Sequence, residues 1–229
     1  TNGFVTDVDR ILRIVTGYIG GRLVPELLDA GHDVRVLARH PERLSDRTWV
    51  DRVEVVAGDA SDPAVVHEAL RGVDVAYYLL HSLLAGQGFE ELERTIARTF
   101  AAAAREEGVG RIVYVGALLP DLPVAEMSEH FRSRAEVSEI FRGSGVPTVE
   151  LRAAVIIGSG SASFEMVRYL TERLPVMVTP NWVRTETQPI AIRDVLYYLV
   201  RVAELPGNIN RTFEIGGPDV ITYEEMMHG

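Results

Sequence analysis

Short apolar runs alternate with amphipathic stretches along most of this chain, and the alternation predicts parallel strands separated by helices. Arg10–Gly17 reads as a first strand and Gly20–Ala30 as a first helix, with Leu23, Leu27 and Leu28 on its apolar side. Asp33–Ala38, Val53–Ala57, Asp74–Leu80 and Arg111–Gly116 read as strands two to five, and strand six begins within Pro147–Ala154. These runs are apolar on both sides of their period-two alternation, as strands covered by helices on both sheet faces must be. Between them, Asp62 is expected to cap a helix reaching Arg71, with Pro63 in its first turn. Phe89–Glu107 and Ser128–Gly143 follow as longer helices. Beyond Gly158 the pattern loosens. Ala162–Glu172 reads as a helix, Asp194 as the cap of a helix Val195–Ala203, Thr212–Ile215 as a short strand and Tyr223–Met227 as a short helix. The expected fold class is α/β, a doubly wound parallel sheet of Rossmann type with a small C-terminal substrate-side region.

The chain of 229 residues is long enough for one well-packed domain. We expect a loose arm over residues 1–9 and one domain over 10–229, with 158–229 forming the substrate side and a C-terminal portion missing from the chain. A net charge of −10 makes a phosphate backbone an unfavourable partner, so nucleic acid is not expected. The chain has no cysteine, which removes thiol nucleophiles and cysteine metal sites. Its six histidines are scattered without HExxH spacing, so no metal is expected. No apolar run approaches the ~18 residues that span a bilayer, and the first residues lack the basic and apolar regions of a signal peptide. A cytoplasmic protein without membrane insertion is the expectation.

The candidate chemistry begins where strand one turns into helix one. Thr16, Gly17, Tyr18, Ile19 and Gly20 occupy that turn. Glycines there let backbone amides approach a pyrophosphate, and the helix N-terminus favours its negative charge. A full fingerprint has three glycines spaced GxGxxG or GxxGxxG, which this turn does not match. At the end of strand two the sequence is Val36-Leu37-Ala38-Arg39-His40, with no acid for a ribose 2′-hydroxyl. Arg39, helped by Arg43, has the planar fork that suits a 2′-phosphate. This points to NADP(H) in preference to NAD(H).

On these residues the chain resembles the extended and atypical short-chain dehydrogenase/reductases, especially NmrA-like NAD(P)-binding proteins. Their first motif, TGxxGYIG, aligns with Thr16–Gly17 and Tyr18–Gly20 but leaves a three-residue gap between Gly17 and Tyr18. The gap is either a shortened loop, which would weaken pyrophosphate binding, or a longer loop over which the numbering closes. Gly58-Asp59 with Asp62 matches the family's GDxxD. The resemblance implies adenine contact at Asp59 and Ala60, and capping by Asp62. It also places His81 and Ser82 in the cofactor-lining loop and Gly116 at the end of strand five beside the cofactor.

Catalytic members of the family carry Tyr-x-x-x-Lys on the helix after strand five and a serine or threonine at that strand's end. Here His130 stands at the tyrosine position and Arg134 at the lysine position, while Val115-Gly116-Ala117 supplies no hydroxyl. His130 can donate a proton near neutrality, whereas Arg134 is too basic to act as a base and suits ribose or an oxyanion. Hydride transfer to an enone, imine or flavin-like acceptor asks less of the protein than ketone reduction does. The first expectation is therefore an atypical NADP(H)-dependent oxidoreductase with a small, apolar or aromatic acceptor. Met166, Tyr169, Met177 and Trp182 are candidates to line its pocket, with Arg184 near an anionic substituent. The alternative is a non-catalytic NADP(H)-binding sensor or protein-interaction module. A homodimer or a protein partner fits either reading.

Overall fold

The computed structural model describes residues 10–14, 17–80, 89–161, 165 and 184–228. Along the first two thirds, strands and helices alternate: β1 (Arg10–Ile14), α1 (Tyr18–Asp29), β2 (Asp33–Ala38), β3 (Glu54–Ala57), α2 (Pro63–Leu70), β4 (Val75–Tyr78), α3 (Phe89–Glu106), β5 (Arg111–Ala117), α4 (Glu129–Arg142) and β6 (Thr148–Ala153). Shorter pieces follow: β7 (Ile156–Ile157), β8 (Glu186–Thr187), β9 (Ile190–Ala191), α5 (Ile192–Ala203), β10 (Arg211–Ile215), β11 (Ile221–Thr222) and α6 (Tyr223–His228). Seven strands form one sheet in the order β3-β2-β1-β4-β5-β6-β10, and every pairing is parallel. The strand order reverses between β1 and β4, the switch point where doubly wound sheets open a crevice at their carboxyl ends. The expected sheet is therefore present.

Both faces are covered, which explains the unbroken apolar strands. Within β4, Val75 and Tyr77 join the cluster that packs under α1 and α5, with Leu23, Leu27, Val195 and Leu199. Ala76 and Tyr78 turn to the other face and pack under α2, α3 and α4, with Leu70, Phe100, Val137 and Phe141. That second face holds an aromatic cluster. The Tyr78 ring lies 4.7 Å from Phe141 and 5.3 Å from Phe100, and Phe141 lies 5.4 Å from Tyr114, all edge to face.

Side-chain caps set the starts of α2 and α4. Asp62 accepts the Ala64 amide at 2.9 Å and Pro63 opens α2, as expected. Ser128 caps α4 by accepting the Phe131 amide. Asp194 differs from expectation: α5 starts at Ile192, with Ala191 at its cap and Asp194 in its first turn. The pairing of β9 with β7 delivers the chain straight into the helix, leaving no loop for a side-chain cap. The first helix starts at Tyr18, two residues earlier than expected, because Gly17 takes the extended cap conformation. Residues 1–9 and the expected helix Ala162–Glu172, apart from residue 165, lie outside the described residues.

Arg111, at the start of β5, locks α5 to the sheet. Its buried guanidinium donates to the carbonyls of Val202, Ala203, Leu205 and Gly207 at 2.7–3.0 Å. A cation belongs there, because the last carbonyls of a helix are unsatisfied and carry partial negative charge. On the neighbouring strand the Tyr77 hydroxyl donates to the Leu199 carbonyl at 2.6 Å. Among the described residues, no helix is long and apolar enough to cross a membrane.

Candidate active site

The carboxyl ends of β1, β2 and β3 bring together the residues expected to hold a dinucleotide. Gly17 is exposed and forms the N-cap of α1 without a side-chain cap bond. Its carbonyl accepts the Gly21 amide at 3.0 Å, which closes the first helical turn. A Cβ on Gly17 would meet no described residue within 4 Å. Tyr18 and Ile19 are half-buried and Gly20 is buried. The Tyr18 side chain turns across the sheet end and meets the segment after β7. A Cβ on Gly158 would lie 2.2 Å from the Tyr18 hydroxyl and 2.6 Å from Ile192, so only glycine allows this approach. Arg22 stacks on the Tyr18 ring at 4.0 Å and donates to the Ser159 carbonyl at 2.8 Å.

Arg39 and Asp59 stand side by side beyond β2 and β3, with Arg39 Nη1 3.7 Å from Asp59 Oδ2. The other Asp59 oxygen accepts the Ser61 amide at 2.9 Å and the Ser61 hydroxyl at 2.8 Å. The Ser61 amide, then its hydroxyl, and more weakly Arg39, hold the Asp59 carboxyl below its ordinary pKa. Asp59 thus closes a turn and keeps one oxygen toward Arg39. Arg43 is exposed on the short 3-10 turn Pro41–Leu44, and Ala60 is half-buried beside Asp59. A helix end, a cation and a turn thus stand at adjacent strand ends. Thr16, His81, Ser82, Met166, Tyr169, Met177 and Trp182 lie outside the described residues, and Arg184 is exposed.

Past the switch point, β5, β6, α3 and α4 build a buried polar layer. Arg134 is 3% exposed and pairs with Glu93 of α3 at 2.5 Å. Its Nη1 reaches the Leu80 carbonyl at 3.4 Å. Glu93 also accepts the Ser133 hydroxyl. Burial works against the Arg134 charge, but Tyr114 and Glu93 outweigh it and raise the guanidinium pKa. The Tyr114 hydroxyl is buried in the field of Arg134, and burial pushes the phenol up to about 12. Half-buried His130 is shifted below its ordinary value, first by burial and then by the Arg134 charge, against a smaller opposing pull from Glu93. The residues that the resemblance matched to the tyrosine and lysine are thus an imidazole with a lowered pKa and a guanidinium anchored in the protein.

A second polar group lies one strand further on. Glu150, 1% exposed, accepts from Ser138 and Thr212 hydroxyls at 2.7 Å each and from Arg152 Nε at 3.0 Å. It fills the space left by Gly116: a Cβ there would stand 2.5 Å from the Glu150 carboxylate. Sequence reasoning missed Glu93, Glu150 and Arg152. The signal was present as acids in apolar contexts, since Glu93 lies on the buried α3 face with Ala97, Phe100 and Ala104, and Glu150 interrupts β6. Among the described residues, no cluster of three or more acidic, histidine or cysteine side chains could hold a metal.

The His130 shift predicts a pH effect. An unfolded histidine titrates near 6.5, so acidification through that pH protonates the unfolded chain before the folded one. The unfolded state then binds more protons, and His130 subtracts from stability as pH falls below 6.5, with no effect at higher pH. We expect an NMR titration midpoint for His130 below 6.5, and a shallower acid loss of stability in His130→Asn. A midpoint at or above 6.5 contradicts the burial effect.

Residues 15–156, more than half of the chain, match the NAD(P)H-binding family. The chain is 33% identical over 217 residues to the (4-alkanoyl-5-oxo-2,5-dihydrofuran-3-yl)methyl phosphate reductase of Streptomyces griseus, covering 92% of this chain and 68% of that protein. It is 24% identical over 218 residues to mitochondrial NADH dehydrogenase (ubiquinone) 1 alpha subcomplex subunit 9 of Arabidopsis thaliana, covering 92% of this chain but only 54% of that protein. The solved triphenylmethane reductase of Citrobacter sp., complexed with NADP(H), superposes with a TM-score of 0.73 at 20% identity, over 95% of this chain and 73% of that one. The match over residues 15–156 places the chain in the NAD(P)H-binding family, with which the parallel sheet order and the 33% identical reductase agree.

Proposed function

We propose that this protein is an NADP(H)-dependent reductase acting on a small conjugated acceptor, an enone or quinone-like molecule. One observation carries the reading. The proton-relay positions hold His130 and a buried, Glu93-paired Arg134, a pair that cannot reproduce the tyrosine–lysine relay of ketone reduction. A conjugated acceptor needs no such relay, because the arriving electron pair is delocalised over the acceptor itself. The Streptomyces relative supports the reading, since its name describes a reductase of an unsaturated oxo-dihydrofuran.

Bound NADPH would supply the hydride. The residues present divide the remaining work. The amides at the start of α1, beyond Gly17, face a pyrophosphate. Asp59 and Ala60 lie at the adenine side. Arg39 takes the 2′-phosphate, with Arg43 beside it. Its contact with Asp59 is an exposed pair of a kind worth only about 0–1 kcal/mol, so a phosphate displaces it readily. Gly116 and Arg134 lie toward the nicotinamide half, and His130 is the proton donor at the crevice.

Titration with NADPH and NADH, followed by nicotinamide absorbance against enones, quinones and ketones, tests the proposal. We expect tighter binding of NADPH, and oxidation with conjugated acceptors in preference to simple ketones. Arg39→Ala should weaken NADPH about 10- to 100-fold, as the loss of a charge-assisted fork implies, while changing NADH little. Equal loss for both nucleotides would remove the 2′-phosphate assignment. Binding with no oxidation by any acceptor favours the second reading, a nucleotide-binding subunit or sensor. That reading draws on the respiratory-complex subunit among the relatives and on the sequestered Arg134.

A further inference from the structure

We propose that Arg152, aimed by Glu150, is the group that binds the acceptor's carbonyl oxygen. The inference rests on the reading of the protein as a conjugated-acceptor reductase. Arg152 stands next to last in β6, at the carboxyl edge of the sheet, and its Cα partner on β5 is Gly116. In the family resemblance, that end of β5 is where a hydroxyl holds the substrate carbonyl. Here the hydroxyl is gone, and a larger side chain at 116 is excluded by the carboxylate that sits 2.5 Å from where its Cβ would be. The glycine and the Glu150–Arg152 pair are therefore one arrangement: removing the side chain admits the carboxylate, and the carboxylate aims the guanidinium.

The aiming is well built. Glu150 Oε2 takes both the Ser138 and the Thr212 hydroxyls, and Oε1 takes Arg152 Nε. Only Nε of Arg152 is engaged. Its two Nη groups make no hydrogen bond or ion pair with a described residue, and the side chain is 20% exposed. A guanidinium fixed at Nε, with both Nη groups unengaged by the described residues, is a preorganised donor for an oxygen that gains charge during the reaction. Bound NADPH would supply hydride to the acceptor's β-carbon. Its C=C π pair moves to form the enolate, and the carbonyl pair moves onto oxygen, where Arg152 carries the charge. A proton from His130 or water then completes the α-carbon. Arg152 remains protonated throughout, as a guanidinium does.

The test compares wild type, Arg152→Gln, Arg152→Ala and Glu150→Gln in NADPH oxidation with 2-cyclohexen-1-one and furan-2(5H)-one. In parallel, 4-nitrophenol is titrated into the NADP⁺ complex, its phenolate standing in for an enolate. Loss of one oxyanion donor typically costs ~10²-fold or more, so Arg152→Gln should lose about that factor in kcat at unchanged NADPH affinity. Added guanidinium should restore part of the Arg152→Ala rate, which a packing role would not allow. Glu150→Gln, a positioning change, should lose less. Wild type should lower the apparent nitrophenol pKa and Arg152→Gln should not. Enone reduction by Arg152→Gln at the wild-type rate, or undiminished nitrophenolate binding, would overturn the assignment while the reductase reading stands. Arg152-dependent nitrophenolate binding in a protein that reduces neither acceptor would uphold the oxygen site and sink the reductase reading. Neither reduction nor binding in wild type removes both.

Discussion

Glu93→Ala is expected to destabilise the protein by about 3–5 kcal/mol, the range found when one member of a buried ion pair is removed. Glu93 and Arg134 are 5% and 3% exposed, so the deletion leaves a guanidinium with neither water nor a counter-charge. The Ser133 hydroxyl loses its acceptor in the same step. Chemical denaturation of Glu93→Ala beside Glu93→Ala/Arg134→Met checks the cause. If the uncompensated charge dominates, the double variant recovers much of the loss, because replacing both charges with apolar groups avoids the desolvation cost. Equal destabilisation of the single and double variants would point to lost packing instead.

Phe141→Ala should cost a similar ~3–5 kcal/mol, by a different mechanism. The Phe141 ring is fully buried and forms the hub of Tyr78, Phe100 and Tyr114 on the α3–α4 face. Its removal leaves a cavity that three rings cannot fill without leaving their edge-to-face packing. Phe141→Leu should recover roughly half of the loss, since most of the volume returns without the ring geometry. A loss below 1 kcal/mol for alanine would mean that the layer collapses into the gap. Both predictions concern α4, so loosening this helix at either end bears on where His130 and Arg134 stand.

The sheet was legible because its strands are apolar on both faces, and such runs have few alternatives. Helix starts were legible where a side chain makes them, as at Asp62 and Ser128, and misread where the chain path makes them, as at Asp194. The first glycine turn was legible in position. The buried polar layer was not, because its logic is long-range. Glu93 is partnered 40 residues away at Ser133, and Glu150 is partnered 62 residues away at Thr212. An acid on an apolar helix face shows that a partner must exist, but a sequence pattern does not say which helix supplies it. Arg152 was hidden for the same reason, since its orientation depends on the missing side chain of Gly116 on the neighbouring strand.

The clasp of Arg111 on the end of α5 has a consequence for biosynthesis. The cation is translated 91 to 96 residues before the carbonyls that receive it. While the chain is still growing, the start of β5 carries a guanidinium that cannot be buried without a large desolvation penalty. The β4–β5–β6 region therefore stays hydrated around Arg111 until residue 207 has left the ribosome, and only then can the dry core close. Ribosome-bound chains in which Val202 is still inside the exit tunnel should remain protease-sensitive at β5, and chains tethered by a linker long enough to bring Gly207 out should become resistant there.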